Sequence, residues 1–129
     1  MSYQTLMDAL NMKVTEQSKQ LIKVEMPITG NVKQPMGFLH GGATVALAET
    51  AASIGGMQHV DSKTEAIVGL EINCNHLKAK KEGKIIAEAS PLHIGKKTSV
   101  WNIDIRDEEQ QLIAISRCTL GVVKIKKGT

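Results

Sequence analysis

Aromatic side chains are nearly absent: Tyr3, Phe38 and Trp101 are the only three among 129 residues. The core must therefore be filled by Ile, Leu, Val, Ala and Met, and nothing in the chain points to a pocket walled by stacked rings. Stacking groups interleaved with basic residues are missing too, which argues against single-stranded nucleic acid. Cysteine is as scarce. Cys74 and Cys118 stand in no CxxC or other metal spacing, each inside an alternating apolar run, and read as buried free thiols of a reducing compartment. His59, His76 and His93 are widely spaced, so no metal site is expected. No apolar run reaches the ~18 residues of a membrane span, and no apolar N-terminal segment precedes a cleavage-like site, so the expected location is cytoplasmic, with no membrane partner. No repeat, linker or low-complexity stretch divides the chain, which reads as one domain over residues 1–129.

What is present is an ordinary globular composition, 42% hydrophobic, with a net charge of +3. That excess is too small to imply nucleic acid. It is also uneven. Residues 1–64 hold five Lys against five acidic residues, whereas residues 65–129 hold nine Lys and two Arg against eight acidic residues. Such a bias suits a small phosphorylated ligand, or simply a solvated face.

The pattern along the chain predicts a short amphipathic helix over residues 3–11. Strand-like segments follow from Met12 to Ile28, turning at Ser18-Lys19-Gln20. A longer helix is predicted from Gly41 to about Met57, alanine-rich, apolar on all sides and closed by Gly55-Gly56. Strands are then expected around Val68-Leu70-Ile72, over 84–89, around Trp101-Ile103-Ile105, and over 112–123. One buried helix followed by a strand meander implies an α+β arrangement, an antiparallel sheet wrapped round a central helix. A sheet this small cannot cover the helix on every side, which calls for self-association, most simply as a twofold dimer.

Glu49 is the only charge between His40 and Asp61, in the middle of the apolar helix. A carboxylate in such surroundings is costly unless paired, and unexplained ones cluster at functional sites. Ser53, at i+4, shares its helix face. His40-Gly41-Gly42 stands just before the helix, where unpaired N–H groups and the positive end of the dipole can hold a developing oxyanion. Gly95-Lys96-Lys97-Thr98 joins two strands and presents two cations, a hydroxyl and a glycine, suited to phosphates or to water alone.

The run from Gly37 to Ser53, Gly-Phe-Leu-His-Gly-Gly-Ala-Thr-Val-Ala-Leu-Ala-Glu-Thr-Ala-Ala-Ser, resembles the hotdog-fold acyl-CoA thioesterases. It is most similar to the PaaI-like branch, which includes the phenylacetate-pathway, glutamate-type 4-hydroxybenzoyl-CoA, enterobactin-proofreading and 1,4-dihydroxy-2-naphthoyl-CoA enzymes. Residues Pro91 to Thr98, followed by Trp101, are similar to the family segment around the CoA contacts. The resemblance implies the hotdog fold, a homodimer with a continuous sheet, pairing of dimers into a homotetramer, and an active site at the dimer interface. It implies Glu49 as the catalytic carboxylate and Gly41 as the N–H donor that polarises the thioester carbonyl. Gln34 would position nucleophile and substrate, His40 would serve the carbonyl or leaving group, and Ser53 would orient water. His76 matches a site-lining histidine of some members, while Gly95, Lys96, Lys97 and Thr98 would contact CoA. Lys96 and Lys97 stand where many members carry Arg, which keeps the charge and loses the bidentate grip.

The expected reaction is hydrolysis of an acyl-CoA to a free acid and CoA, with Glu49 as nucleophile or as general base. CoA is part of the substrate, and no cofactor is called for. Two alternatives remain at this level: a hotdog hydratase or dehydratase acting on acyl thioesters, and a non-catalytic acyl-CoA-binding module.

Overall fold

The computed structural model describes residues 2–125. Lys126 and Lys127, counted above in the basic half, lie outside the described residues. A four-residue helix, α1 (Leu6–Ala9), precedes the hairpin of β1 (Lys13–Gln17) and β2 (Ile22–Pro27). A 3-10 turn at Gly30–Val32 leads to the long helix α2 (Gly41–Met57). Then come β3 (Glu65–His76), β4 (Lys84–Ile94), β5 (Thr98–Asp107) and β6 (Leu112–Lys124). The strands form one antiparallel sheet in the order β1-β2-β4-β5-β6-β3, which α2 crosses on one face. Among the described residues no helix is long and apolar enough to cross a membrane.

The sheet buries its helix-facing side by simple alternation. In β5, Ser99, Trp101, Ile103, Ile105 and Asp107 are buried while their neighbours are half-buried, the period-two signature of a sheet with one covered face. Leu47, Ala48, Ala51 and Ala52 of α2 meet that face and are fully buried. The opposite side of α2, including Val45, Ala46, Glu49 and Ser53, is only half-buried. The helix is thus covered on one side by its own chain, and Glu49 is less enclosed than the sequence pattern suggests.

Gly55 and Gly56, expected to close the helix, lie inside it and are buried. A Cβ at Gly55 would come within 2.6 Å of the Trp101 ring, and one at Gly56 within 2.7 Å of a Leu120 methyl. The glycines let the last turns of α2 lie directly on the sheet, a requirement of strands some fifty residues further on. Trp101 itself is fully buried, with its indole N–H donating to the Ser99 hydroxyl at 3.0 Å.

Two other elements differ from the pattern. The N-terminal helix is shorter than 3–11. Its start is set by a reciprocal cap between Thr5 and Asp8, and the left-handed Asn11 (φ 57°) ends the segment, a conformation Asn tolerates. In β3 a bulge between Gly69 and Glu71 changes which residues face inward. Val68 and Leu70 are exposed, whereas Ile67, Ile72 and Cys74 pack on the core. Simple alternation had placed Val68, Leu70 and Ile72 on one face. Strand β4 runs past Ala89 to Ile94, with its own irregularity between Pro91 and His93. A proline lacks the ladder N–H and is tolerated at such a break.

Alanine is about 1 kcal/mol better than glycine inside a helix, yet Gly55→Ala is expected to destabilise this protein. Overpacking against a buried ring costs about 1–3 kcal/mol. Urea denaturation followed by Trp101 fluorescence measures the difference. A neutral or stabilised variant would show that α2 and Trp101 are not in this close contact.

Candidate functional site

The segment before α2 is tied down by its own polar groups. Gln34 N–H donates to the Phe38 carbonyl at 2.8 Å, and Gly37 N–H donates to the Gln34 carbonyl at 2.9 Å. The Gln34 side-chain oxygen accepts from Met36 N–H and, at 3.3 Å, from Phe38 N–H. Gly37 takes φ 91° to complete the turn, a region glycine enters at little cost. With its oxygen so engaged, the Gln34 side chain keeps its NH2 as a donor with no acceptor among the described residues. Leu39 N–H donates to the Lys80 carbonyl at 2.7 Å. Lys80 is in turn paired with Glu108 at 3.1 Å and Asp107 at 3.4 Å. Burial pushes the Asp107 carboxyl upward, but N–H donors from Gln111 and Glu109 and the Lys80 ammonium more than offset it, leaving Asp107 below its ordinary value. The strut holds the loop before β4 against the entrance to α2.

His40 caps α2. Its Nδ1 accepts from Gly42 N–H at 2.8 Å. A neutral imidazole that accepts at Nδ1 carries its proton on Nε2, so the exposed His40 ring offers an outward donor. The N–H of Gly41, first in the helix, has no acceptor among the described residues. His76, from the far end of β3, lies against Gly41: a Cβ at Gly41 would sit 3.1 Å from its Nε2. Gln34, Gly41 and His76 thus share one cavity of about 400 Å³, with Phe38, Thr44 and Lys78 among its other walls. The structure brings His76 to two residues, Gln34 and Gly41, that precede it by 42 and 35 positions.

Glu49 and Ser53 open elsewhere, into a second cavity of about 360 Å³ on the uncovered side of α2. The Glu49 carboxylate rests against the Cα of Gly69 in β3, where a Cβ would overlap it. An isolated Gly inside a strand pattern is the available signal of such a close approach, but sequence reading takes Gly69 only as one of the residues alternating with Val68 and Leu70. The Ser53 hydroxyl makes no hydrogen bond among the described residues, in contrast to Thr50, which donates to the Ala46 carbonyl at 2.7 Å. Cys118, on the neighbouring strand, is no rival nucleophile. Burial, with the Glu49 and Glu71 carboxylates adding to it, pushes its thiol up to about 12, and the thiolate is the reactive form. Burial also raises the half-buried Cys74 thiol.

The third group is the β4–β5 turn. Gly95 N–H donates to the Thr98 carbonyl and Val122 N–H to the Lys97 carbonyl, both at 2.8 Å. The Lys96 and Lys97 side chains are left exposed. With Gly95, His59 and Lys124 they border a hollow of about 580 Å³. The sequence-predicted residues therefore form three clusters rather than one. Gly41 and Glu49 are eight residues apart on one helix, about 12 Å at ~1.5 Å per residue. The Gly41 N–H opens into one cavity, and the Glu49 carboxylate, lying against Gly69, lines another.

His40→Ala removes the cap and should lower the unfolding free energy by about 1 kcal/mol, while His40→Asn, which can also accept from the helix N–H, should recover most of it. Parallel urea titrations test this. Equal loss in both variants would mean that the ring matters for packing rather than as a cap.

Residues 36–114 match the thioesterase superfamily. Over 120 residues the chain is 52% identical to ComA2 of Bacillus subtilis (strain 168), covering 93% of this chain and 95% of that protein. It is 44% identical to the 1,4-dihydroxy-2-naphthoyl-CoA hydrolase of Listeria monocytogenes serotype 1/2a (strain 10403S), covering 95% of this chain and 98% of that one. The crystal structure of thioesterase HI1161 from Haemophilus influenzae superposes with a TM-score of 0.90 at 38% identity, covering 96% of this chain and 86% of that one. The central helix, the antiparallel sheet wrapped on it and these matches agree: the chain belongs to the thioesterase superfamily and adopts its hotdog fold.

Proposed function

We propose that this protein hydrolyses an acyl-CoA thioester to a free acid and CoA, at a site built from two chains. The observation that carries the reading is the pair of groups on α2: an unpaired N–H at Gly41 and a carboxylate at Glu49, two turns apart. Acyl transfer needs both kinds of group, a donor for the oxyanion and a nucleophile or base for the carbonyl carbon. The relative that is a 1,4-dihydroxy-2-naphthoyl-CoA hydrolase supports CoA as the leaving group.

In this mechanism the thioester carbonyl oxygen accepts from Gly41 N–H at the positive end of α2, which stabilises the oxyanion as it forms. The Gln34 NH2 and the His40 Nε2–H are further donors at the same helix end. Glu49 of the second chain reaches the carbonyl carbon. It either attacks directly, giving a mixed anhydride and CoA thiolate, with water then cleaving the anhydride, or takes a proton from an attacking water. Ser53, one turn on, orients that water. His76 braces the Gly41 end of the helix, and Gly69 leaves room for the carboxylate. Lys96, Lys97 and the N–H groups of the Gly95–Thr98 turn face the nucleotide phosphates of CoA. No step uses a metal or a resident cofactor.

The dimer supplies what one chain lacks. The sheet ends at the long edge strand β3, an open row of N–H and C=O groups that pairing with a second copy would satisfy, and the uncovered side of α2 would be buried in the same event. A pair of dimers gives the tetramer.

Glu49→Gln should lower kcat by about 10²–10⁴-fold, the range for loss of a general base, with an unchanged melting temperature. Thiol release from an acyl-CoA panel measures it. Activity within about tenfold of wild type, ~1.4 kcal/mol of barrier, would overturn the role of Glu49.

Complementation tests the two-chain site. Gly41→Val drives a side chain into His76 and should be inactive alone. Refolding it in equal amounts with Glu49→Gln should restore about a quarter of wild-type activity, because half the dimers are mixed and one of their two sites is intact. No recovery, with mixed dimers shown to form, would overturn the two-chain site.

A further inference from the structure

The hollow beside Glu49 has a wall that the core does not need. Helix α1 is held in place by the Thr5–Asp8 cap, with Thr5 N–H donating to the Asp8 carboxylate at 3.0 Å and Asp8 N–H to the Thr5 hydroxyl at 3.3 Å. Met12 N–H donates to the Met7 carbonyl at 2.9 Å. The segment is fixed at both ends, yet none of the four α1 residues is buried. Leu10 and Met12, just after it, pack on the core, whereas Leu6 and Met7 do not. Leu6 is 58% exposed. The two side chains instead line the Glu49 cavity, together with Ala46 and Ile54.

That cavity measures about 360 Å³, inside the roughly 300–1,000 Å³ range of small-molecule sites. Its polar groups gather at Glu49, Thr50 and Ser53, and the Thr50 hydroxyl is already committed to the Ala46 carbonyl at 2.7 Å. No cation lines it among the described residues. An acyl group lying there meets methyl and methylene groups along its length and the carboxylate at its reacting end. A second carboxylate on the acyl chain would lose water without gaining a partner, and would face Glu49 as a like charge.

Resting on the hydrolase reading above, we infer that Leu6 and Met7 are specificity-determining residues: they form the outer wall of an acyl subsite that admits uncharged, apolar acyl groups. Met7 supplies adjustability, because its unbranched thioether side chain fills irregular gaps. Leu6 covers the mouth. The selecting element is a capped helical turn on the rim, so acyl preference can change without disturbing the sheet or α2.

The test holds the leaving group constant. Thiol release is measured for wild type, Leu6→Arg and Met7→Ala with octanoyl-CoA, benzoyl-CoA and succinyl-CoA. Melting temperature and sedimentation are followed in parallel. Wild type should favour the two apolar substrates over succinyl-CoA by at least about tenfold in kcat/KM, the discrimination a small difference in an apolar pocket supplies. Leu6→Arg should close that gap by roughly tenfold, raising the succinyl-CoA rate itself, a gain that mere loss of stability cannot produce. Met7→Ala should shift the ratio of the two apolar substrates. Variants that change all three rates by one common factor, or that dissociate the oligomer while keeping the ratios, would overturn the inference and assign this surface to the subunit contact. A wild type that hydrolyses none of the three would remove the hydrolase reading and this inference together. A wild type that hydrolyses them, with ratios unmoved by Leu6 and Met7, would remove this inference alone.

Discussion

Everything in this molecule depends on how closely α2 can lie on the sheet. Trp101 and Leu120 rise from the centre of the sheet to the surface that the helix must cover, and Gly55, Gly56, Ala48, Ala51 and Ala52 are what permit contact. Interiors pack at crystal-like density, so a gap or an extra methyl at such a seam is felt. The sparse aromatic content follows the same logic. One indole, satisfied by Ser99, fills the middle, and aliphatic side chains, chiefly Ile and Ala, fill the rest.

Close contact has a second consequence. A helix pressed onto the sheet along one face leaves the other half-covered, and the polar groups of the proposed site are distributed along that geometry. The helix start, capped by His40 and fastened through Gln34, presents the free Gly41 N–H. Two turns later the Glu49 carboxylate crosses to β3 and lies on Gly69. The helix acts as a ruler. It sets Gly41 and Glu49 about 12 Å apart along its axis, at the edges of two different cavities.

The residues that carry chemistry are held by backbone more than by one another. Gln34 is locked by N–H donors of its own turn, His40 by Gly42, and the Gly95–Thr98 turn by β6. Such local fastening allows a site to be assembled from separate pieces with each piece already in place, which lowers the ordering cost of binding.

The sequence by itself determined the helix over 41–57, the alternation of β5, the hairpin turn at Ser18 and the isolation of Glu49. Each of these is a local pattern whose period or composition has a direct physical reading. It also carried the family, because the run from Gly37 to Ser53 is contiguous in the chain. Only the tertiary structure decided that Gly55 and Gly56 continue the helix rather than end it, since their reason is Trp101 and Leu120. Only the fold turned Val68 and Leu70 outward, through a bulge that alternation cannot foresee. Only the fold placed Gly69 under Glu49 and His76 beside Gly41. These are contacts between residues twenty to sixty-five positions apart, where a glycine is selected by what approaches it, and nothing in the glycine's own neighbourhood records which residue that is.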